Sequence, residues 1–493
     1  MRCWRLALPV NFMPSGADYV RLLPELILTV AGAIIMLLEA AMGNRRSRNG
    51  LGYFSLIALA AAAVGSVIAF KNGGPAFGGL VIVDGYATFF RILVIGVGFL
   101  SVLQSFQYLQ RERANTGEYY ALILFSLVGQ CVMVSANELI MVFIGLEISS
   151  IATYVLADFL RDDKRNNESS IKYFLLGSFA TAFLLYGIAW IYGATGTTSL
   201  PGIRAALEAG RGMNLAGVAA ALMFVGFAFK VSAVPFQIWA PDVYQGAPAP
   251  VSAFMSAGPK AAAFAVLVRV FITAFDPIVA KWDPFVWSCA LLTMIVGNFA
   301  ALTQPNIKRM LAYSSIAHAG YILVAVAAHS YIGIAAVMFY LAAYAFMQVG
   351  AFAVISYFSR QGERYVNVDD LAGLGWRQPM VAALFTVLLL SFIGVPLTAG
   401  FFGKFYIFKA ALDAGLVWLA VLGLLNSAVA AYYYLRILVV MYFREPGEAS
   451  DSVAAPGLGI QIALWGSVLG TLILGIYPSL LLNFATYSSQ FGR

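Results

Sequence analysis

From residue 20 onward the sequence is a succession of apolar stretches about twenty residues long, divided by short turns that carry most of its charge. A helix of that length spans the hydrocarbon of a bilayer, about 30 Å at 1.5 Å per residue. Hydrocarbon offers backbone amides no water, so stretches of this length that cross it repeatedly are read as helices, which bond their amides internally. Fourteen spans are expected, at 20–42, 51–70, 85–109, 117–136, 138–158, 170–193, 213–239, 248–275, 282–304, 307–328, 330–358, 379–412, 414–442 and 458–484. Only 11% of the residues are charged and 61% are hydrophobic. A soluble domain carries about 25% charge, so the polar residues here could not cover a water-facing surface. The fold class is therefore an all-α polytopic membrane protein of about 14 transmembrane helices, with no separate soluble domain.

The net charge of +7 raises nucleic-acid binding, but the basic residues are scattered through loops, and topology explains them better. Loops after odd-numbered spans hold fourteen Lys and Arg; loops after even-numbered spans hold Lys71, Arg204, Arg211 and Lys281. The positive-inside rule then puts the odd-to-even loops in the cytoplasm and both termini outside. The first twelve residues lack the apolar run of a signal peptide, and Met13 offers an alternative start. Cys3, Cys131 and Cys289 are too dispersed for a cluster or a disulfide framework. His318 and His329 would sit about 16 Å apart on one helix, too far to share a metal. Gly96-Val97-Gly98 lies inside an apolar span and lacks the strand–loop–helix setting of a nucleotide site.

Eight basic residues remain inside spans: Arg91, Lys172, Lys230, Lys260, Arg269, Lys404, Lys409 and Arg436. Arg269, Lys409 and Arg436 read as snorkelling or loop-pairing residues, and Lys172 as a structural partner of Glu168. Glu147, Lys260 and His318 lie near the middle of their spans. A charge at that depth costs at least about 2.5–3.5 kcal/mol, so several in one chain imply a compensating network. Desolvation makes a buried lysine able to give up its proton, and a nearby carboxylate can tune that affinity, which is the chemistry of a proton relay. Span seven is broken at Pro235 and span twelve at Pro396, each with a lysine within eight residues, Lys230 and Lys404. Ser232 and Thr398 are expected, with water, to satisfy the freed backbone groups. Spans seven and twelve are five apart, as are spans five and ten, which carry Glu147 and His318. The chain therefore divides into a head (1–19), three spans (20–109), a first five-helix repeat (117–275), a second, inverted five-helix repeat (282–442) and a last span with the C-terminus (458–493).

The segment Lys230-Val231-Ser232-Ala233-Val234-Pro235-Phe236, with Trp239-Ala240-Pro241-Asp242-Val243-Tyr244-Gln245-Gly246-Ala247-Pro248 and Pro250-Val251-Ser252-Ala253-Phe254, resembles the core of the antiporter-like, proton-pumping membrane subunits of respiratory complex I. So does Asn306-Ile307-Lys308-Arg309-Met310-Leu311-Ala312-Tyr313-Ser314-Ser315-Ile316-Ala317-His318. Only nine residues follow span fourteen, unlike the largest of these subunits, and Lys404 stands where the middle one usually has glutamate. Leu23-Pro24-Glu25-Leu26-Ile27-Leu28 resembles the start of the remaining type.

The resemblance implies a set of roles. Glu147 would be the fifth-helix glutamate paired with Lys230, Lys260 the central lysine, and Lys404 the lysine on the outlet side; His318 lies in the matching motif with a less defined role. Protons would pass from cytoplasm to periplasm across a bacterial inner membrane. This chain would bind no cofactor, with NADH, FMN, iron–sulfur clusters and quinone held by other subunits. Its partners would be membrane-arm subunits, neighbouring antiporter-like subunits among them, and the bilayer. Moving one charge against about 150 mV costs roughly 3.5 kcal/mol, and nothing in the chain could draw that from a reaction. Rival readings are a subunit of a multi-subunit cation/proton antiporter or of a membrane-bound hydrogenase complex.

Overall fold

A computed structural model describes residues 14–42, 48–447 and 455–491. The N-terminal segment with Cys3 and Met13 lies outside the described residues, as do Arg45 and Arg46. The described chain is almost entirely helical. Its first helices are α1 (Gly16–Arg21), α2 (Leu23–Ala41), α3 (Asn49–Lys71), α4 (Gly85–Arg111), α5 (Gly117–Ser135), α6 (Leu139–Ala157) and α7 (Lys164–Thr195). They continue with α8 (Leu200–Glu208), α9 (Met213–Val231), α10 (Trp239–Gly246), α11 (Ala249–Thr273), α12 (Val279–Leu302), α13 (Ile307–Ala327) and α14 (Tyr331–Phe358). The last are α15 (Leu374–Arg377), α16 (Pro379–Ile393), α17 (Ala399–Asp413), α18 (Val417–Phe443), α19 (Leu458–Ile476) and α20 (Ser479–Ser488).

Thirteen helices among the described residues are long and apolar enough to cross a membrane. The remaining expected span, span twelve at 379–412, is two helices of 15 residues each, α16 and α17, neither of which spans alone. The sequence missed two local features. Gly74–Ala76 and Val81–Val83 form a small antiparallel hairpin between α3 and α4. The polar stretch 194–212 contains α8, whose Leu200, Ile203, Ala206 and Leu207 are buried.

α11, α13 and α14 are buried along nearly their whole length, whereas α2, α3, α7, α12 and α18 each expose a broad apolar face. Leu37, Phe179 and Leu425 are examples, at 72%, 67% and 59% exposure, and such faces are stable only against lipid or another apolar chain. Packing pairs recur between the two five-span groups. α5 packs on α6 as α12 packs on α13; α10 lies against α7 as α17 lies against α14; α11 meets α5 as α18 meets α12. Equivalent neighbours in both groups are what an internal repeat would produce.

Both proline breaks are present. α9 ends at Ser232, whose φ of 63° is left-handed, and the freed amide of Val234 is bonded by Thr293 Oγ1 of α12 at 2.9 Å. Trp239 Nε1 bonds the Phe229 carbonyl at 2.8 Å. Ser232 was expected to supply such a bond, but its hydroxyl is buried with no hydrogen-bond partner among the described residues, and Thr293 of the neighbouring α12 takes that place. In the second break Thr398 does bond locally, to the Val395 carbonyl at 2.6 Å.

α16 ends at Gly394 with φ 94°, a conformation that favours glycine. A Cβ on Gly400 would lie 1.8 Å from the Ser391 carbonyl oxygen, so the two half-helices meet backbone to backbone. Gly400→Ala is expected to wedge them apart at a cost of about 1–3 kcal/mol or more. The expected result is a lower level of the chain in membranes by immunoblot, with a lower thermal midpoint of whatever assembles.

Candidate functional site: a buried polar line through the central helices

The mid-span charges are carried on the most enclosed helices. Lys260 lies on α11, directly after Pro259, and is 2% exposed. Its ammonium donates to the Ser315 carbonyl at 3.0 Å and to the Ser315 hydroxyl, and it lies 5.9 Å from the centre of the Tyr344 ring. Ser315 and His318 are three residues apart on α13 and so share a face. His318 is buried, with Nδ1 2.5 Å from the Tyr340 hydroxyl and Nε2 3.1 Å from the Tyr434 hydroxyl. Tyr434 also bonds Ser314.

Lys404 closes the line at the second break. Its ammonium donates to the Phe392 and Ile393 carbonyls, each at 2.9 Å, and to Ser427 Oγ at 2.7 Å. Those carbonyls form the negative end of the α16 half-helix, where a cation is favoured. Lys404 also lies 5.1 Å from the Tyr321 ring centre. Asn298 links Tyr321 to the rest, donating to the Tyr321 hydroxyl at 3.1 Å and accepting from the Tyr433 hydroxyl at 3.1 Å. Tyr433 and Tyr434 pack ring on ring, 4.4 Å between centres. His318 thus follows Ser315, the partner of Lys260, by one turn of α13, and its ring lies 5.3 Å from that of Phe392, whose carbonyl Lys404 holds.

The first break is arranged differently. Lys230, in the last turn of α9, has no hydrogen bond or ion pair among the described residues. Its ammonium lies over the rings of Tyr154 at 5.2 Å and Tyr173 at 5.3 Å. Glu147 is the carboxylate that acts on it electrostatically, but the two stand beyond the 4.0 Å of an ion pair. Glu147 Oε1 is buried and makes no hydrogen bond. The structure therefore brings Glu147 and Lys230 to one neighbourhood with the pair open. Between this neighbourhood and Lys260 lie Tyr173, stacked on Trp239 at 4.6 Å, and Tyr244, 6.0 Å from Trp239. The Tyr244 and Tyr344 hydroxyls are buried without hydrogen-bond partners among the described residues.

The remaining charges have other partners. Lys172 does bond Glu168, at 2.8 Å, and also Asp242 at 2.8 Å; Asp242 in turn holds Arg309 at 2.5 Å. Arg269 makes a forked pair with Asp84, both contacts 2.9 Å, and Lys409 bonds Asp413 at 2.6 Å. Arg91 is fully buried against Glu25 at 2.6 Å. Lys308, which the sequence places in a loop, is also fully buried, 2.6 Å from Glu363. Glu363 also accepts from the Tyr108 hydroxyl and the Ala249 amide, both at 2.8 Å, tying α4, α11 and α13 together. Proximity in sequence could not reveal this pair, since its members are 55 residues apart.

The tyrosines, Ser315, Ser427 and Asn298 also escaped the sequence reading. A signal was available: Ser314, His318 and Tyr321 recur at helical spacing on α13, and Tyr340 and Tyr344 on α14. Among the described residues no cluster of histidine, cysteine, aspartate or glutamate could hold a metal ion.

The family described as NADH:quinone oxidoreductase/Mrp antiporter, TM matches residues 136–430, which include all five site candidates. NADH-quinone oxidoreductase subunit N 1 of Solibacter usitatus (strain Ellin6076) is 62% identical over 98% of this chain and 99% of its own length. Subunit N of Trichlorobacter lovleyi (strain ATCC BAA-1151 / DSM 17278 / SZ) is 47% identical over 94% and 95%. A chain of respiratory complex I from Thermus thermophilus with bound aureothin superposes with TM-score 0.81 at 35% identity, over 94% of this chain and 99% of that one. A chain of the Mrp complex from Dietzia sp. DQ12-45-1b has TM-score 0.84 at 22% identity over 96% and 97%, a likeness of fold. This chain belongs to the NADH:quinone oxidoreductase/Mrp antiporter membrane family, in the branch of the NADH-quinone oxidoreductase N subunits.

Proposed function

We propose that this proton-translocating subunit moves protons along Glu147, Lys230, Lys260, His318 and Lys404, from the cytoplasm to the periplasm of a bacterial inner membrane. The observation that carries this reading is a buried row of polar groups enclosed by α11, α13 and α14: Lys260 bonded to Ser315, His318 one turn further along α13 bonded to Tyr340 and Tyr434, and Lys404 bonded to Ser427 at the second break. Hydroxyl and imidazole groups pass protons by exchanging donor and acceptor roles, and a lysine held by neutral groups can release one. The open Glu147–Lys230 neighbourhood acts as the loading end: closing the pair would hold the proton, and opening it would pass the proton inward.

In this proposal both termini face the periplasm and the two five-helix groups (117–275 and 282–442) work as inverted repeats around Lys260. Quinone reduction elsewhere in the complex supplies the energy, and NADH, FMN, iron–sulfur clusters and quinone sit on other subunits. Neighbouring antiporter-like subunits flank the chain in the membrane arm. The fold is shared with cation/proton antiporters, but 62% identity to a subunit N separates the two readings. Purification of the tagged chain in mild detergent is expected to bring down NADH-dehydrogenase polypeptides. Recovery of cation-antiporter or hydrogenase subunits in their place would overturn the assignment.

A further inference from the structure

The relay described so far begins inside the membrane, and one stripe of α6 points to how protons reach it. Glu147, Ser150, Tyr154 and Asp158 follow one another at intervals of three, four and four residues, so they line one face of the helix. The stripe runs about 16 Å along the axis, from the middle of the span to the residue that ends α6. An aspartate at a helix C-terminus faces the negative end of the helix dipole, so local propensity argues against it there. One carboxylate oxygen of Asp158, the Tyr154 hydroxyl and Glu147 Oε1 are buried without hydrogen-bond partners.

The outer part of this stripe borders a cleft of about 570 Å³ between α2, α5, α6 and α7. Tyr154 and Asp158 both line it, with Glu118 and Arg161 among its polar members. At its inner end the Tyr154 ring carries the Lys230 ammonium on its face. The tyrosine can lie so close to α7 only because residue 177 is glycine: a Cβ there would meet its hydroxyl at 2.1 Å.

We propose that this cleft is the cytoplasmic proton inlet of the subunit, with Asp158 as first acceptor and Tyr154 as the group that passes protons toward Glu147 and Lys230. The inference rests on the relay and on the orientation given by the basic loops. The titratable and charged groups lining the cleft around Asp158 are Glu118 from α5, Arg161 from the loop before α7, and Tyr154 on its own helix. α7 adds Ser170 and apolar side chains, and α2 adds Met36.

Two measurements on the assembled complex in inverted vesicles test this. Asp158→Asn is expected to slow NADH-driven proton uptake several-fold at about pH 8 and little at about pH 6, because capture becomes limiting as protons grow scarce. Asp158→Glu should restore the parental profile. An Asp158→Asn deficit equal at both pH values would mark a structural role and overturn the inlet. In a background with Cys3, Cys131 and Cys289 replaced by serine, Tyr154→Cys should react with a membrane-impermeant maleimide from the cytoplasmic side. Ile151→Cys, on the exposed flank and outside the cleft lining, should not. An unlabelled Tyr154→Cys, as when lipid or another subunit fills the cleft, would overturn the proposal, and so would labelling of both. Glu147→Gln in the same membranes separates the two readings. If it stops pumping while Asp158→Asn is silent, the inlet alone falls; if it pumps normally, the relay falls.

Discussion

Lys230→Ala is expected to lower NADH-driven proton pumping roughly tenfold at normal subunit content, equivalent to about 1.4 kcal/mol on the limiting step. The ammonium lies 5.2–5.9 Å from the centres of three aromatic rings, those of Tyr154, Tyr173 and Phe229, and near one carboxylate, with no hydrogen bond among the described residues. Cation–π contacts are worth about 0.5–2 kcal/mol each, enough to place the lysine and too little to lock it. In the proposed relay its removal takes away a proton carrier and leaves Glu147 without its counter-charge. Glu147→Ala should act in the same direction, since the lysine then lacks the carboxylate that holds its proton during loading. Acidification of inverted vesicles, normalised to the subunit's immunoblot signal, is the measurement. Unchanged pumping in both variants would remove these residues from the path.

Substitution of Lys404 separates charge from proton release. Lys404→Ala leaves the Phe392 and Ile393 carbonyls and Ser427 without their buried donor, at about 1–3 kcal/mol for each group stranded. Both subunit level and pumping should therefore fall. Lys404→Arg keeps a cation with donors at the end of α16 but cannot give up its proton at any working pH. The arginine variant should accumulate to near-normal level while pumping drops roughly tenfold. Normal pumping with arginine would make Lys404 a fixed charge that caps a half-helix. Blue-native gels for assembly and vesicle acidification for pumping read the two effects separately.

Much of this molecule can be read from its sequence because the bilayer is so restrictive a solvent. Apart from the broken spans seven and twelve, each expected span but the last has its helix at the expected place, and both expected breaks fall beside the prolines that announce them; span fourteen, expected over 458–484, is divided into Leu458–Ile476 and Ser479–Ser488. Glu147, Lys260 and His318 stand out for the same reason: a polar group in the middle of an apolar span has few uses. What stayed hidden depends on which helices touch. Nothing in the local pattern of Lys308 separates a loop cation from one buried against Glu363. Nor does the pattern at Ser232 reveal that Thr293, 61 positions later, bonds the opened backbone while the nearby serine does not.

His318 shows the division most clearly. As a residue it reads equally well as a core histidine or as a relay member. Its place in the buried polar row, bonded to tyrosines of α14 and α18, follows only when helices far apart in sequence pack around it. The sequence by itself determined the number of crossings, the two breaks and the few residues unwilling to be in lipid, because transfer energies and backbone bonding act on each span separately. Tertiary structure alone decided how those residues are connected and which charges are bound in pairs. It also decided where a cleft reaches them, because hydrogen bonds and ion pairs form between side chains that only packing brings within a few ångströms.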